Sequence, residues 1–588
     1  MCGIFGYIGK REDAATIVFE GIKTLEYRGY DSWGVGCVPL TKSDTLILKK
    51  RVGKIGNEDV KDLPKSTLAF GHTRWATHGG VTEKNTHPHL DCTGTIAIIH
   101  NGIIENYDTL KKQVSGTHTF VSETDSEVAT HMIEVASSAH PFIEAVRSTF
   151  LQFEGSNAII AISQKEHMMV AARNGSPLVV GFGDHEQFIA SDASGLLPYT
   201  KRIYFLEDNE MAVLTDDAII ILDAVTGKEK HITPTILTWS VTAANKNGFS
   251  TFMEKEIHEQ PIVLEQCLHR SDIQSIAEAI KNARGAYLIG CGTAYYACLA
   301  GTYLFSTIAQ RHINACVASE FTYQEEFINN ASLVLALSQS GETMDLIDAV
   351  KRAKKHDASI ASIVNVQGST LWRLSNLPIP CMAGPEIGVA STKDMTTKIA
   401  ILLMTAYDIA GHTKEGKQVM KQVLASVKNI FEKDSLNTIH AVANHFKTST
   451  NLFVVGRGTS YPAALETALK IKEISYIHAE GLAAGELKHG AIALIEKGTP
   501  CIVFLPHDET YSANLAAAME MKARGGYIIG ISPQQQEAFD AFIEVKDAGT
   551  GTIIPNIIVG QLLAYDVTIA KNLDPDKPRN LAKSVTVK

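Results

Sequence analysis

Hydrophobic positions follow two different rhythms along this chain, and the change falls between residues 236 and 262. Through residues 1–235 they come in short β-branched runs, such as Thr95-Ile96-Ala97-Ile98-Ile99-His100 and Ala158-Ile159-Ile160-Ala161-Ile162, punctuated by Gly and Asn. Helical spacing is confined to positions near 14–27 and 124–136. The pattern predicts an α+β domain of layered sheets over 1–235. Residues 236–262 read as a linker: Ile236 to Phe252 is polar and irregular, and Glu259-Gln260-Pro261 stops the next segment. From 263 onward strands alternate with helices, the mark of a parallel sheet.

This second region repeats itself. Ala286-Tyr287-Leu288-Ile289-Gly290-Cys291-Gly292-Thr293-Ala294-Tyr295 has a counterpart in Leu452-Phe453-Val454-Val455-Gly456-Arg457-Gly458-Thr459-Ser460-Tyr461. Both predict a buried strand, a Gly-x-Gly-Thr turn and a helix. Glu342 follows Gly292 at nearly the distance at which Glu509 follows Gly458. Tandem domains of one fold account for this spacing. The expected division is a first copy at 263–425, a second at 426–572 and a tail at 573–588.

The copies differ in chemistry. In the first, the apolar run Ser332 to Leu337 empties into Ser338-Gln339-Ser340-Gly341-Glu342-Thr343, ahead of a helix with Leu346, Ala349, Val350 and Ala353 on one face. Hydroxyls and free amides at a helix start suit a phosphate. In the second copy Pro506-His507-Asp508 replaces the hydroxyls and adds a negative charge. One sugar-phosphate site per chain is therefore expected. The second copy instead carries a helix that Ser460 is placed to cap, with Pro462 in its first turn. Ala464, Ala468, Ile471 and Ile474 form its apolar face, and Lys470 and Glu473 share another side. His489 and Lys583 add a group that titrates near neutrality and an amine able to form an imine.

The 588 residues exceed one core, and 45% hydrophobic with 20% charged residues fits globular domains. A net charge of −10 disfavours nucleic-acid binding. No apolar run approaches the roughly 20 residues needed to span a membrane, so none is expected. The start has no basic segment leading an apolar one, so no leader is expected. Nine scattered cysteines point to reduced, cytoplasmic protein. None has zinc-ligand spacing, His87-Pro88-His89 is the only close pair, and neither metal nor cofactor is expected.

Cys2 stands out among the nine. Removal of Met1 would place a thiol and an α-amine of pKa about 8 on one residue, a nucleophile beside a base. Four polar clusters end the β-branched runs: 25–32, 71–79, 100–106 and 122–127. Arg74 offers a fork to an α-carboxylate, Asp125 a counter-charge to an α-ammonium, and Asn101 with the Gly102 amide two donors to an oxyanion.

Cys2 and these clusters, in order, resemble the N-terminal-nucleophile (class II) glutamine amidotransferase domain. The resemblance implies an αββα sandwich in which Cys2 attacks glutamine and forms a thioester. It gives Arg74, Thr77, His78 and Asp125 to glutamine, Asn101 and Gly102 to the oxyanion hole, and Trp75 to an ammonia gate. Trp33 departs from the small residue usual after Tyr-Asp-Ser. The region 290–570 resembles paired flavodoxin-like sugar isomerase domains. The whole chain, through Leu581-Ala582-Lys583-Ser584-Val585-Thr586-Val587, resembles the isomerising glutamine–fructose-6-phosphate aminotransferases. That family implies Thr293, Ser338, Gln339, Ser340, Thr343, Val389 and Ser391 as sugar-phosphate ligands. It implies Lys583 as Schiff-base amine, Glu473 as proton carrier, Lys470 as its assistant and His489 for ring opening. L-Glutamine and fructose 6-phosphate are the implied substrates. A homodimer sharing the sugar site, through His489 of a neighbour, is also implied. Ala294, Met344 and Asp394-Met395 depart from the common pattern.

Overall fold

The computed structural model describes residues 2–41, 45–237 and 246–586. It divides into two compact units, Met1–Ala243 with Ala582–Lys588, and Ala244–Leu581. Met1, and the part of the expected linker at 238–245, lie outside the described residues.

In the first unit the β-branched runs pair into an eight-stranded and a six-stranded antiparallel sheet. Period-two alternation sorts their side chains into layers. Ile4 and Ile8 of strand Gly3–Gly9 meet Ile99, Ile160 and Ala171 of the other sheet. Phe5 and Tyr7, one residue over, face helix Ala14–Thr24. On the far side Ile98, Ile159 and Val170 face helices Asp125–Ser137 and Phe142–Phe150. The result is the helix–sheet–sheet–helix sandwich expected. Trp33 lies in this packing, 1% exposed and edge-on to Phe19 at 5.3 Å, so the larger residue fills core volume.

The second unit holds two five-stranded parallel sheets of one topology. The first runs in the spatial order Asn314–Val317, Gly285–Gly290, Ser332–Ser338, Ser359–Val364, Leu377–Pro380. The second runs His478–Ala483, Asn451–Gly456, Pro500–Phe504, Tyr527–Ser532, Ala541–Glu544. Each is a 2-1-3-4-5 order. It reverses direction between its first and third strands in sequence, and ligands bind outside the strand ends at such a switch point.

Three expectations change here. Helices Phe252–His258 and Gln260–Gln266 occupy much of the stretch read as linker, with Met253, Ile257 and Leu264 fully buried. Pro261 starts a helix there instead of stopping one, because a first-turn proline gives up no helical hydrogen bond. Ser460 is the first residue of helix Ser460–Ser475, and Thr459 holds the capping position without a side-chain bond. Gly549–Ala570 is long and apolar enough to cross a membrane by length and composition, but 83% of that window is buried inside the protein. Its helix Ile553–Ala570 is a core element whose apolar character runs all round.

That core helix packs closely on Ser460–Ser475. A Cβ at Gly560 would meet Thr467 Oγ1 at 2.0 Å, so glycine sets the separation of the two helices. Gly560→Val should destabilise the second unit by about 2–3 kcal/mol. It should lower the thermal midpoint of the second unit and leave that of the first in place, as checked by two-phase thermal unfolding.

Candidate functional site

Cys2 precedes a strand held on both sides by strands Leu68–Arg74 and Glu186–Ala190. Its carbonyl accepts from Asn101 Nδ2 at 3.0 Å and Arg28 Nε at 3.3 Å, and Arg28 is paired with Asp192 at 3.1 Å. The next amides are also held, Gly3 by Thr73 Oγ1 and Ile4 by Ser191 Oγ. Cys2 Sγ accepts the Trp75 N–H at 3.3 Å. Burial pushes its thiol pKa up, against the lowering pull of that amide and of Arg74 and Arg28. The thiol therefore needs a base before it can attack.

Cys2, Arg74, Trp75, Thr77, His78, Gly102 and Asp125 line one polar pocket, together with His87, His100, Thr124 and Ser126. It has about 260 Å³ of space not filled by atoms. All the glutamine-side residues named from sequence except Asn101 line it, and Asn101 touches Cys2 directly. Arg74 is nearly fully buried and donates to the carbonyls of His78, Gly79 and Gly80, at 2.5 to 3.1 Å. It thereby folds the 78–80 turn around the pocket. Asp125 begins its helix and accepts the Ile104 N–H at 2.8 Å.

Gly102 has φ +130°, and a Cβ there would lie 1.9 Å from Ser156 O, so no other residue fits.

The sequence reading missed what lies behind Asn101. His72 Nε2 sits 3.0 Å from both Asn101 Oδ1 and His100 O. Both partners are acceptors, so Nε2 carries the proton and turns the Asn101 amide toward Cys2. His72 stacks on His87 at 4.2 Å, and His87 Nδ1 accepts the His100 N–H. Burial pushes His72 down to about 3 and lowers His87 and His100 too, so all three rings are neutral at pH 7. His72 and His100 lie on strands of different sheets and His87 in the turn before His89–Leu90, and spacing alone gave no signal for the stack.

In the second unit, Thr293 and the 338–343 loop follow Gly285–Gly290 and Ser332–Ser338, the two strands that flank the switch point. Ser338 Oγ accepts the Gly341 N–H and Ser340 Oγ the Glu342 N–H, which shapes the loop. Gln339 and Thr343 are half-buried beside them, and Thr343 caps helix Met344–Lys355 by position. Val389 donates its N–H to Asp576 O at 3.1 Å, and Ser391 donates to Glu386. Ala294 is half-buried against the core. In the second copy Asp508 binds Thr510 through both N–H and hydroxyl, so its turn closes on its own carboxylate.

Lys470 is almost fully buried and pairs with Glu473, and its Nζ lies 3.5 Å from Glu466 Oε1. Glu466, one turn earlier, is a site residue the sequence reading missed. It is 1% exposed and accepts from Thr293 Oγ1 at 3.2 Å. Burial, which outweighs the attraction of Lys470, pushes its carboxyl up to about 8. One ammonium faces two carboxylates, and the deeper one keeps its proton. Lys470 stays charged, because the two carboxylates outweigh its burial and raise its pKa.

The tail is fastened before it reaches Lys583. Asp576 accepts the N–H groups of Phe252 and Met253, both at 2.8 Å. Arg579 donates its N–H to Tyr476 and stacks its guanidinium 4.2 Å over that ring. Lys583 itself is half-buried and belongs with the first unit, so the second unit alone holds Glu466, Lys470 and Glu473 but not this amine. His489 ends the exposed turn Glu486–His489.

A cysteine at position 2 of an αββα sandwich, joined to twin doubly wound units with a switch-point hydroxyl loop, fits a glutamine amidotransferase domain followed by tandem sugar isomerase domains. Family models agree: a glutamine amidotransferase domain matches residues 72–198, and the SIS domain matches 279–407 and 445–569. A glutamine–fructose-6-phosphate aminotransferase (isomerizing) of Thermococcus kodakarensis is 41% identical, and that of Pyrococcus horikoshii 40%, each over 100% of both chains. The solved C-terminal domain of a glucosamine-fructose-6-phosphate aminotransferase from Francisella tularensis covers 56% of this chain and 99% of its own. It has a TM-score of 0.52 and 31% identity. The chain belongs to the glutamine–fructose-6-phosphate aminotransferase (isomerizing) family.

Two outcomes test this geometry. His72→Ala should cut kcat for glutamine hydrolysis about 10- to 100-fold with little change in KM, because it frees the Asn101 amide without touching the glutamine-binding groups. For Glu466, the folded pKa near 8 lies above the ordinary 4.5, so the folded state holds the extra proton. Its contribution is full below pH 4.5 and is lost as pH rises toward 8, at about 1.4 kcal/mol per pH unit. Glu466→Gln should flatten that decline. Thermal midpoints of the second unit between pH 5 and 9 will check it, and an unchanged slope counts against the assignment.

Proposed function

We propose that the chain moves the amide nitrogen of L-glutamine to fructose 6-phosphate and isomerises the product, giving glucosamine 6-phosphate and glutamate. The observation that carries this is the Cys2 thiol, set beside Asn101 in the pocket of Arg74 and Asp125, in a chain whose relatives match it end to end.

In the first unit the freed α-amine of Cys2 takes the thiol proton, and the thiolate attacks the glutamine amide carbon. Asn101 Nδ2 and the Gly102 N–H hold the tetrahedral oxyanion. Ammonia leaves with a proton, and water then opens the thioester to release glutamate. Arg74 holds the α-carboxylate, Asp125 the α-ammonium, and Thr77 and His78 close the pocket. Trp75, whose amide already touches the sulfur, gates the departing ammonia. Water would convert that ammonia largely to ammonium, so a closed passage keeps it nucleophilic.

In the second unit Thr293, Ser338, Gln339, Ser340, Thr343, Val389 and Ser391 hold the sugar phosphate. His489 of a second copy in a homodimer opens the ring. Lys583 condenses with the C2 ketone and releases water, and ammonia displaces Lys583 from that imine. Glu473 takes the C1 proton and returns it at C2, which converts the imine to the 2-amino aldose. Lys470 pairs with Glu473 and positions it for the first transfer. The protonated Glu466 lets the buried ammonium serve Glu473 alone. Nine free cysteines fit a cytoplasmic setting.

Incubation with glutamine and fructose 6-phosphate should yield glutamate and glucosamine 6-phosphate in equal amounts. Cys2→Ala should abolish both, and Lys583→Ala should abolish the amino sugar while sparing hydrolysis. Glutamate without amino sugar from the unaltered chain would overturn the acceptor assignment and make Ala294 the first position to examine.

A further inference from the structure

Four donor side chains converge in the first unit at a place the glutaminase chemistry does not use. Cys92 lies in the turn between strands His89–Leu90 and Ile96–Gly102. His118 lies in the connection between helices Tyr107–Val114 and Asp125–Ser137. His131 and Glu134 sit three apart on the second helix, so they share one face.

The ligating atoms of all four lie within 4.8 Å of one another. Cys92 Sγ is 3.4 Å from His118 Nδ1 and 3.7 Å from His131 Nδ1. Glu134 Oε2 is 2.9 Å from His118 Nδ1 and 3.0 Å from His131 Nδ1. Tetrahedral zinc bonds of about 2.3 Å to sulfur and 2.0–2.2 Å to nitrogen and oxygen separate neighbouring donors by about 3.3–3.6 Å. The sulfur–nitrogen edges already match. The nitrogen–oxygen edges need to open by a few tenths of an ångström, as the proton between them gives way to an ion.

The surroundings suit a cation. His131 Nε2 faces Glu127 Oε1 at 3.8 Å. Glu127 is fixed in turn by the Val121 and Ser122 amides and the Ser122 hydroxyl. A carboxylate behind a ligating imidazole orients the ring and strengthens it as a donor. Glu134 is likewise pinned by the Cys92 N–H at 3.1 Å. Cys92 is exposed, which leaves a path for entry.

We propose that Cys92, His118, His131 and Glu134 form a four-coordinate site for a borderline divalent cation, zinc foremost. One thiolate, two imidazoles and one carboxylate favour that class over the hard magnesium and calcium ions. Four protein ligands leave no open position, so the ion is structural. It ties the connection around His118 to helix Asp125–Ser137. The same connection runs on to Thr124 and Asp125 in the glutamine pocket, about 9 Å along the helix from His131.

Spacing along the chain could not reveal the set, because Cys92 and His118 are 26 residues apart and meet only through the sheet and helix packing. The test is cobalt and zinc titration of full-length, chelator-treated protein. One Co2+ per chain should bind with the visible bands of tetrahedral cobalt and a thiolate charge-transfer band in the near ultraviolet, and Zn2+ should displace it. Cys92→Ser should lose the charge-transfer band, and His118→Gln should weaken binding by about tenfold or more. Cys2→Ser should leave both signals intact. Zinc should raise the first unit's thermal midpoint in the unaltered protein and not in His118→Gln. Absence of stoichiometric metal, bands that survive Cys92→Ser, or bands that vanish in Cys2→Ser would each overturn the proposal.

Discussion

A thiol at the second residue of a chain keeps a fixed position only if it is held from the side. Chain ends fray unless they are tied into something larger. Here the tie is lateral pairing, because Gly3–Gly9 lies between two other strands of an eight-stranded sheet. The same residues that fix Cys2 build its pocket. Asn101 grips the Cys2 carbonyl from the facing sheet, and Trp75 reaches the sulfur from the end of the adjoining strand. The sandwich's interlayer core, with Ile4 and Ile8 against Ile99 and Ile160, therefore sets the distance between Cys2 and the Asn101 amide. Weakening that core would misplace the chemistry before it unfolded the protein.

The second unit meets a different constraint, a charge that must work inside an apolar helix packing. Lys470 lies between core helices and far from bulk water. Two carboxylates on its own helix compensate it, but a second carboxylate would itself be an uncompensated buried charge. Proton retention by Glu466 removes that cost, and Glu473, the more exposed of the two, keeps the close pairing with Lys470. The two carboxyl groups stand about two helical turns apart, with Lys470 between them. Pairs of carboxyl groups split in this way by their surroundings recur where protons are moved.

Much of this was legible from sequence because it depends on local periodicity. The short β-branched runs predicted an α+β domain of layered sheets, the family resemblance supplied the αββα order, and the repeated strand–Gly-x-Gly-Thr unit pointed to the twin parallel sheets. The apolar face of Ala464, Ala468, Ile471 and Ile474 is buried as read. What stayed hidden depends on neighbours distant in sequence. Glu466 drew no attention in the sequence, and its burial and its bond from Thr293 depend on packing against distant segments. The stack of His72 and His87 and the Cys92–His118–His131–Glu134 cluster join separate strands, turns and helices. Helix Ile553–Ala570 also went unread, because Asn556, Gln561 and Asp566 interrupt its apolar run, and it is the surrounding packing that makes it a core helix.

The hydrogen bond from Thr293 to Glu466 explains why two copies of one fold make one site. Thr293 opens the helix at the first copy's switch point, where the hydroxyl loop gathers. Glu466 belongs to the equivalent helix of the second copy. The equivalent helices of the two copies thus meet through one side-chain bond. The second copy's corresponding turn is instead closed by Asp508, which satisfies the Thr510 backbone and hydroxyl from within. The tail follows the same junction. Asp576 bonds to the helix that begins at Phe252 and to Val389 of the first copy, and Arg579 then bonds to Tyr476 at the end of the Glu473 helix. A segment fastened at both copies registers their relative position directly, so any shift between the copies would move the tail that leads to Lys583.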